Sequence, residues 1–166
     1  MSKQKVLILD KERIGRKLQR MAYEIWEHNS NETNITLLGI NGSGLAVANN
    51  LAARLQKISP LKVEVITVTM NKKKPLSQEI VIAENLTGKS VVLVDDVANS
   101  GKTLLYALRP VLNYEVKKIQ VAVLVDRKHK AYPVSSDIVG HSVATTMQDH
   151  IEVDTQGDEI LAAYLQ

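Results

Sequence analysis

Residues 91–104, VVLVDDVANSGKTL, constrain this chain more than any other stretch. Four apolar residues lead into two adjacent acids. A short polar loop follows, and Ser100-Gly101-Lys102-Thr103 then opens a run with helical spacing. An apolar run of this length, ended by a polar loop, reads as a buried strand, expected over residues 90–94. The unit is therefore strand, loop, helix. Paired carboxylates at the carboxyl end of a strand, followed by a loop rich in donors, suit a phosphorylated, hydroxylated ligand held with a metal ion.

The same alternation runs through the middle of the chain. Asp10 can cap a helix to about residue 29, in which Ile14, Leu18, Met21, Ala22 and Ile25 recur at helical spacing. Asn34–Ile40 reads as a strand. It breaks at Asn41-Gly42-Ser43-Gly44, and residues 45–55 resume helical periodicity. Residues 62–69 alternate and are β-branched, so they read as a strand. Residues 70–78 break that pattern and carry Lys72, Lys73 and Lys74 in sequence. They read either as a solvated loop or as a lid whose ammoniums close over phosphates. A short strand is expected at 79–83 and a helix at 102–112, kinked or ended early by Pro110. Residues 118–125 read as a central parallel strand, and 138–139 as a short one. Residues 151–153 and 160–164 could pair as a hairpin, although local propensity alone would allow a helix for the last segment. The fold class is thus α/β, one domain with a mostly parallel twisted sheet flanked by helices. Ligands bind such sheets beyond the carboxyl ends of the strands. Three polar segments fall there: 41–44, 95–103 and 126–130.

Composition bounds the class. The 166 residues suit one domain with a full core. There is no cysteine, which excludes disulfides and thiolate metal sites. The formal net charge is +3, which favours anionic ligands. No apolar run approaches the ~20 residues that span a bilayer, and the five-residue run near the N-terminus is short for a signal peptide. The expected location is cytoplasmic.

A P-loop is the obvious competitor for Gly101-Lys102-Thr103. The glycine it requires five residues earlier is Asp96. Gly88-Lys89-Ser90 fails the same test at Ala83 and leads into a strand. Acids directly ahead of the loop would repel an NTP's phosphates but can accept hydrogen bonds from a sugar's vicinal hydroxyls.

VVLVDDVANSGKT resembles the 5-phosphoribosyl-1-pyrophosphate (PRPP) motif of type I phosphoribosyltransferases over 13 residues. Residues 10–29 and 122–145 extend the resemblance to the PyrR family, pyrimidine operon attenuation regulators with uracil phosphoribosyltransferase activity. The resemblance implies a single phosphoribosyltransferase domain over residues 1–166, with a core at about 30–130. A hood would form from the N-terminal segment and about 131–166. It implies PRPP and a pyrimidine base or UMP as ligands, with Mg²⁺ carried mainly by PRPP oxygens and no dedicated protein metal cage. RNA is a further partner, and a homo-dimer or tetramer the default assembly. Asp95 and Asp96 would meet the ribose hydroxyls. Val97, Ala98, Asn99, Ser100, Gly101, Lys102 and Thr103 would wrap the 5′-phosphate. Asn41, Gly42, Ser43 and Gly44 would face pyrophosphate, with Lys72 and Lys73 over it. Arg127 and His129 would stand beside the base. A purine base in place of uracil, or an RNA-binding nucleotide sensor with little catalysis, are the alternatives.

The chain departs from the family at named places. The usual Lys-Thr-Arg-Gly of the pyrophosphate loop is Asn41-Gly42-Ser43-Gly44, so both cations are gone. The flexible loop is shortened and carries Lys72, Lys73 and Lys74. The usual Asp-Arg-Gly-His-Arg is Asp126-Arg127-Lys128-His129-Lys130, and a Pro-Thr-Ser is Ala144-Thr145-Thr146.

Overall fold

A computed structural model describes residues 4–146 and 149–166. Residues 1–3, and 147–148 within the expected hood, lie outside the described residues. Five parallel strands form the main sheet in the order β3-β2-β4-β5-β6. They are β2 (Asn34–Ile40), β3 (Lys62–Val68), β4 (Ser90–Ala98), β5 (Lys118–Arg127) and β6 (Ile138–Val143). Their register aligns Thr36 with Val91, Asp95 with Val123, and Ala122 with Ile138. Helix α2 (Ser43–Ile58) joins β2 to β3, and α3 (Lys102–Val111) joins β4 to β5. The strand order reverses between β2 and β4, which is where open α/β sheets place ligands.

Both faces of the sheet are buried, which is why β4 reads as continuous apolar sequence and not as alternation. Val92 and Val94 face a core built with α1 (Lys11–His28) and α2; Val91 and Leu93 face a second core built with α3. All four are fully buried, and burying each such side chain contributes about 1.5–3 kcal/mol. Helix α1 buries the expected stripe of Ile14, Leu18, Met21, Ala22 and Ile25, and Asp10 caps it by accepting from the Arg13 amide at 2.8 Å.

A second, antiparallel sheet, in the order β1-β8-β7, joins β1 (Val6–Leu9) to the hairpin of β7 (Ile151–Gln156) and β8 (Glu159–Leu165). The hairpin expectation holds, and Gly157 turns it with a φ of 58°. Of the range expected in the hood, β6 is instead a strand of the main sheet. Its Gly140 is packed so closely that a Cβ there would lie 2.4 Å from the Leu124 carbonyl oxygen.

Two local expectations change. Strand β4 runs on through both acids to Ala98 and does not end at Val94, because β5 continues beside it as far as Asp126. The 79–83 segment is not a strand among the described residues; a single antiparallel bridge, Thr69 to Val81, folds it back on the end of β3. The expected early end at Pro110 agrees with α3, which stops one residue later at Val111.

Candidate active site

The acid pair is carried by the sheet itself. Asp95 is 2% exposed, paired with Val123 of β5 and one residue past the last β2 pairing, Gly39 with Val94. Helix α2 begins directly over it. A Cβ on Gly44 would lie 2.6 Å from Asp95 Oδ1 and 3.2 Å from its Cα, so only glycine lets the helix start this close. Burial, then the neighbouring Asp96 charge, push the Asp95 carboxyl up to about 7; the Lys72 ammonium opposes them. Lys72 Nζ donates to Asp95 Oδ1 at 2.9 Å and stands 3.9 Å from Asp96 Oδ1. Burial lowers the Lys72 pKa, but the Asp95 and Asp96 charges outweigh it and raise it overall.

The lysine is aimed by its loop. Asn71 Oδ1 accepts from the amides of Lys73 and Lys74, closing a tight turn around Lys72. The loop is also tied to the segment after β2: Asn41 donates its amide to the Val68 carbonyl and accepts from the Met70 amide through Oδ1. Lys72 thus joins the acid pair. Lys73 does not: it is exposed, and its amide is committed to the turn.

Two helices open on this region with glycine caps. Gly42 (φ 88°) precedes α2 and Gly101 (φ 86°) precedes α3, and neither helix has a side-chain cap. The amides of Ser43, Gly44 and Thr103 are therefore left for an anion, whereas Lys102 N donates to Ser100 Oγ at 3.2 Å and Leu45 N to the Gly42 carbonyl at 3.1 Å. Residues Val97, Ala98, Asn99, Ser100, Gly101, Lys102 and Thr103 curl around a small hollow of about 50 Å³.

The segment after β5 is sewn to that loop. The Ser100 carbonyl accepts from the amides of Ala131 and Tyr132 at 3.0 and 3.1 Å. Between them opens a cavity of about 610 Å³ whose walls include Asn99, Arg127, His129, Lys130 and Thr145. Arg127 does not point a free fork into it: Nε donates to Thr145 Oγ1 and Nη2 to the Thr146 carbonyl, both at 2.7 Å. Lys130 pairs with Asp126 at 2.5 Å. His129 is exposed on the rim. A cleft of similar size at the amino-terminal edge of the sheet is remote from the acids. Its charges pair with each other, Lys117 with Glu32 at 2.8 Å and Lys89 with Glu64 at 3.0 Å.

Sequence reasoning did not find three features. The Gly44 approach, the Asn71 turn and the Ser100 stitch are all backbone or spatial relations. Only the glycine itself was a visible signal.

Comparison with known proteins agrees with this geometry. The profile of the phosphoribosyl transferase domain matches residues 7–156. The Bifunctional protein PyrR of Bacillus cereus (strain AH820) is 35% identical over 165 residues, covering 92% of each chain. The fold is shared with a hypoxanthine-guanine phosphoribosyltransferase from Bacillus anthracis (TM-score 0.71, 18% identity, 83% of this chain and 82% of that one). It is shared equally with the Trypanosoma cruzi hypoxanthine phosphoribosyltransferase in complex with the product IMP (TM-score 0.69, 18% identity, 82% and 75%). The chain therefore belongs to the phosphoribosyltransferase family, as a PRPP-binding transferase of type I similar to PyrR.

Proposed function

We propose that this enzyme transfers the 5-phosphoribosyl group of PRPP to uracil, giving UMP and pyrophosphate. The observation that carries the reading is the strand-borne acid pair, with Lys72 on it at 2.9 Å, beside a glycine-capped loop. Asp95 and Asp96 accept hydrogen bonds from the ribose 2′- and 3′-hydroxyls. Loop amides of 98–103 and the Ser100 and Thr103 hydroxyls hold the 5′-phosphate. The free amides at the start of α2, at Ser43 and Gly44, face pyrophosphate. Lys72 supplies positive charge that Asn41-Gly42-Ser43-Gly44 lacks, though without an arginine's bidentate fork.

In the reaction the bond from C1′ to the pyrophosphate oxygen breaks and the bond from C1′ to uracil N1 forms, with loss of the N1 proton. Positive charge develops on the ribose ring as pyrophosphate leaves. The protein's part is to fix the two reactants in line and to stabilise that charge separation; the buried Asp95 carboxylate lies on the ribose side. The donor set fits a magnesium ion that arrives with the substrate: two adjacent carboxylates, of which Asp96, with its side chain 18% exposed, is the one that would hold it through water. When bound, the ion neutralises pyrophosphate charge.

The test is product formation from PRPP and Mg²⁺ with uracil, hypoxanthine and guanine. UMP from uracil alone is expected. Nucleotide from a purine alone would move the reading to that base. Absence of product from every base would remove the catalytic reading.

A second reading, an RNA-binding nucleotide sensor, is favoured by one observation. Arg13 and Lys17 of α1 flank His141, whose pKa is lowered by burial and then by those two charges. Other basic side chains that could meet RNA have internal partners: Arg13 with the Ile8 carbonyl, Arg16 with Glu12, Arg20 with Glu24, Arg127 with Thr145, Lys130 with Asp126. RNA affinity should then fall with salt by a log–log slope of about −0.7 per phosphate neutralised, shallow for so few free cations. A flat response would remove phosphate-driven binding.

A further inference from the structure

Residues 70–74 carry three consecutive lysines, and Lys72 is the one at the acids. What selects it is a series of side-chain to backbone hydrogen bonds that begins outside the segment. Asn41 Oδ1 accepts from the Met70 amide at 3.1 Å. Asn71 Oδ1 accepts from the Lys73 and Lys74 amides at 3.1 and 3.0 Å. Lys72 lies between the two holds. Packing fixes the same segment: Met70 is 3% exposed in the core on the α3 side of the sheet, and Pro75 is buried. The bridge from Thr69 to Val81 draws the two ends together. Moving lids come from parts of a fold with few buried contacts, and this segment is not built that way.

Asn41 is itself placed by the sheet. Its amide donates to the Val68 carbonyl at 3.0 Å, one step beyond the pairing of Ile40 with Val68. Gly42, the cap of α2, follows directly. One residue therefore joins the lysine segment to the helix opening. The two meet again at a single atom. Asp95 Oδ1 accepts from Lys72 Nζ at 2.9 Å, and a Cβ on Gly44 would lie 2.6 Å from it. The ammonium and the first turn of α2 thus flank one carboxylate oxygen.

We propose that Asn41 is a positioning residue: its side-chain oxygen holds residues 70–74 as a fixed arm, so that Lys72 stands beside the α2 opening without a closing motion. The inference rests on the transferase reading above and adds how the positive charge absent from 41–44 is kept in place. Asn41 acts through Lys72 and touches no reacting atom. Ordering the arm and its long side chain carries an entropy cost, and here that cost falls on folding and not on ligand binding.

The experiment titrates pyrophosphate, and separately ribose 5-phosphate, into the protein with Mg²⁺ and reads the heat. Lys72→Ala should weaken pyrophosphate by about tenfold, equivalent to ~1.4 kcal/mol. Asn41→Leu, which keeps the volume and removes the acceptor, should weaken it to the same degree. Asn71→Ala, which opens the turn and leaves the helix opening untouched, should do likewise. In the Lys72→Ala background neither change should weaken it further, because residues acting through one group are not additive. Trypsin gives a readout without ligand, since cuts after Lys72 and Lys73 need the arm to open. Asn41→Leu should be cut there about tenfold faster than the wild type, and Asn41→Asp, which keeps an acceptor for the Met70 amide, at the wild-type rate. An undiminished effect of Asn41→Leu in the Lys72→Ala background overturns the assignment, as does a wild-type rate of cutting in Asn41→Leu. So does a wild type that binds ribose 5-phosphate but not pyrophosphate. If the wild type binds neither, the transferase reading fails, and the tryptic rates alone decide whether Asn41 holds the arm.

Discussion

Gly44→Ala is expected to weaken ribose 5-phosphate binding by roughly a hundredfold, about 2.7 kcal/mol. The added methyl carbon would sit 2.6 Å from Asp95 Oδ1, and 3.2 Å from both Asp95 Cα and the Val94 carbonyl oxygen. Two of those three atoms are backbone of β4, a strand paired on both sides, so relief must come from the carboxylate or from α2. The carboxylate has no room to retreat at 2% exposure. Its Oδ1 also accepts from Lys72 Nζ and from the Asp96 amide, each at 2.9 Å, and displacing it breaks both bonds. Overpacking of this kind costs about 1–3 kcal/mol of stability. Calorimetric titration with ribose 5-phosphate and thermal melting read the two effects separately. Gly42→Ala is the control: its φ of 88° makes it strained, but nothing lies within 4 Å of the added carbon, so Asp95 should stay in place. Wild-type affinity in Gly44→Ala would show that α2 does not set the position of the acid.

Asp95→Asn should weaken the same ligand by tenfold or more at pH 8, since a hydrogen bond to a charged acceptor contributes about 1.5–3 kcal/mol. It should also remove a pH dependence. With its carboxyl raised to about 7, chiefly by burial, Asp95 is protonated at pH 6 and ionised at pH 8. Wild-type affinity for the ribose hydroxyls should rise through that interval. The ligand's own phosphate titrates near pH 6, and Asp95→Asn retains that part of the curve alone. Lys72→Ala removes the ammonium that opposes the upward shift, so the midpoint should move higher. Stability carries the opposite sign. The folded state binds this proton up to about pH 7, and the unfolded chain releases it near 3.8. The fold is therefore favoured below 3.8 and loses that advantage as pH rises toward 7. Relative to Asp95→Asn, the wild type should melt at a lower temperature at pH 8 than at pH 5. Superimposable binding profiles for the two proteins would sink the titration.

The parallel sheet was legible because a strand buried on both faces has few sequences available. The runs in β4 and β5 are apolar nearly throughout, and glycine and acid punctuation marks where each ends. The length of β4 was not legible. Acids at 95 and 96 look like a strand terminus, and only the pairing of Asp95 with Val123 and Val97 with Val125 keeps them inside it. Residues 79–83 have strand-like composition but find just one bridging partner. At the site, the acids and the glycines were visible as residue types. That Lys72 alone of three lysines would reach the acids was not, because an Asn71 turn sets its direction. Nor could the sequence show that Arg127 is occupied by Thr145 and Thr146, eighteen and nineteen residues away.

The placement of the acid pair within β4 also separates the two halves of the proposed site. Asp95 is in register with Val123 of β5, so the ladder sets its position. The side proposed to face pyrophosphate is made from a helix opening and a tethered turn, at 41–44 and 70–74, outside that ladder. The departures from the family pattern at 41–44, 128, 130 and 144–146 all fall outside the strands of the main sheet. Changes on the proposed leaving-group side therefore leave the sheet intact, while the proposed sugar side is tied to the architecture.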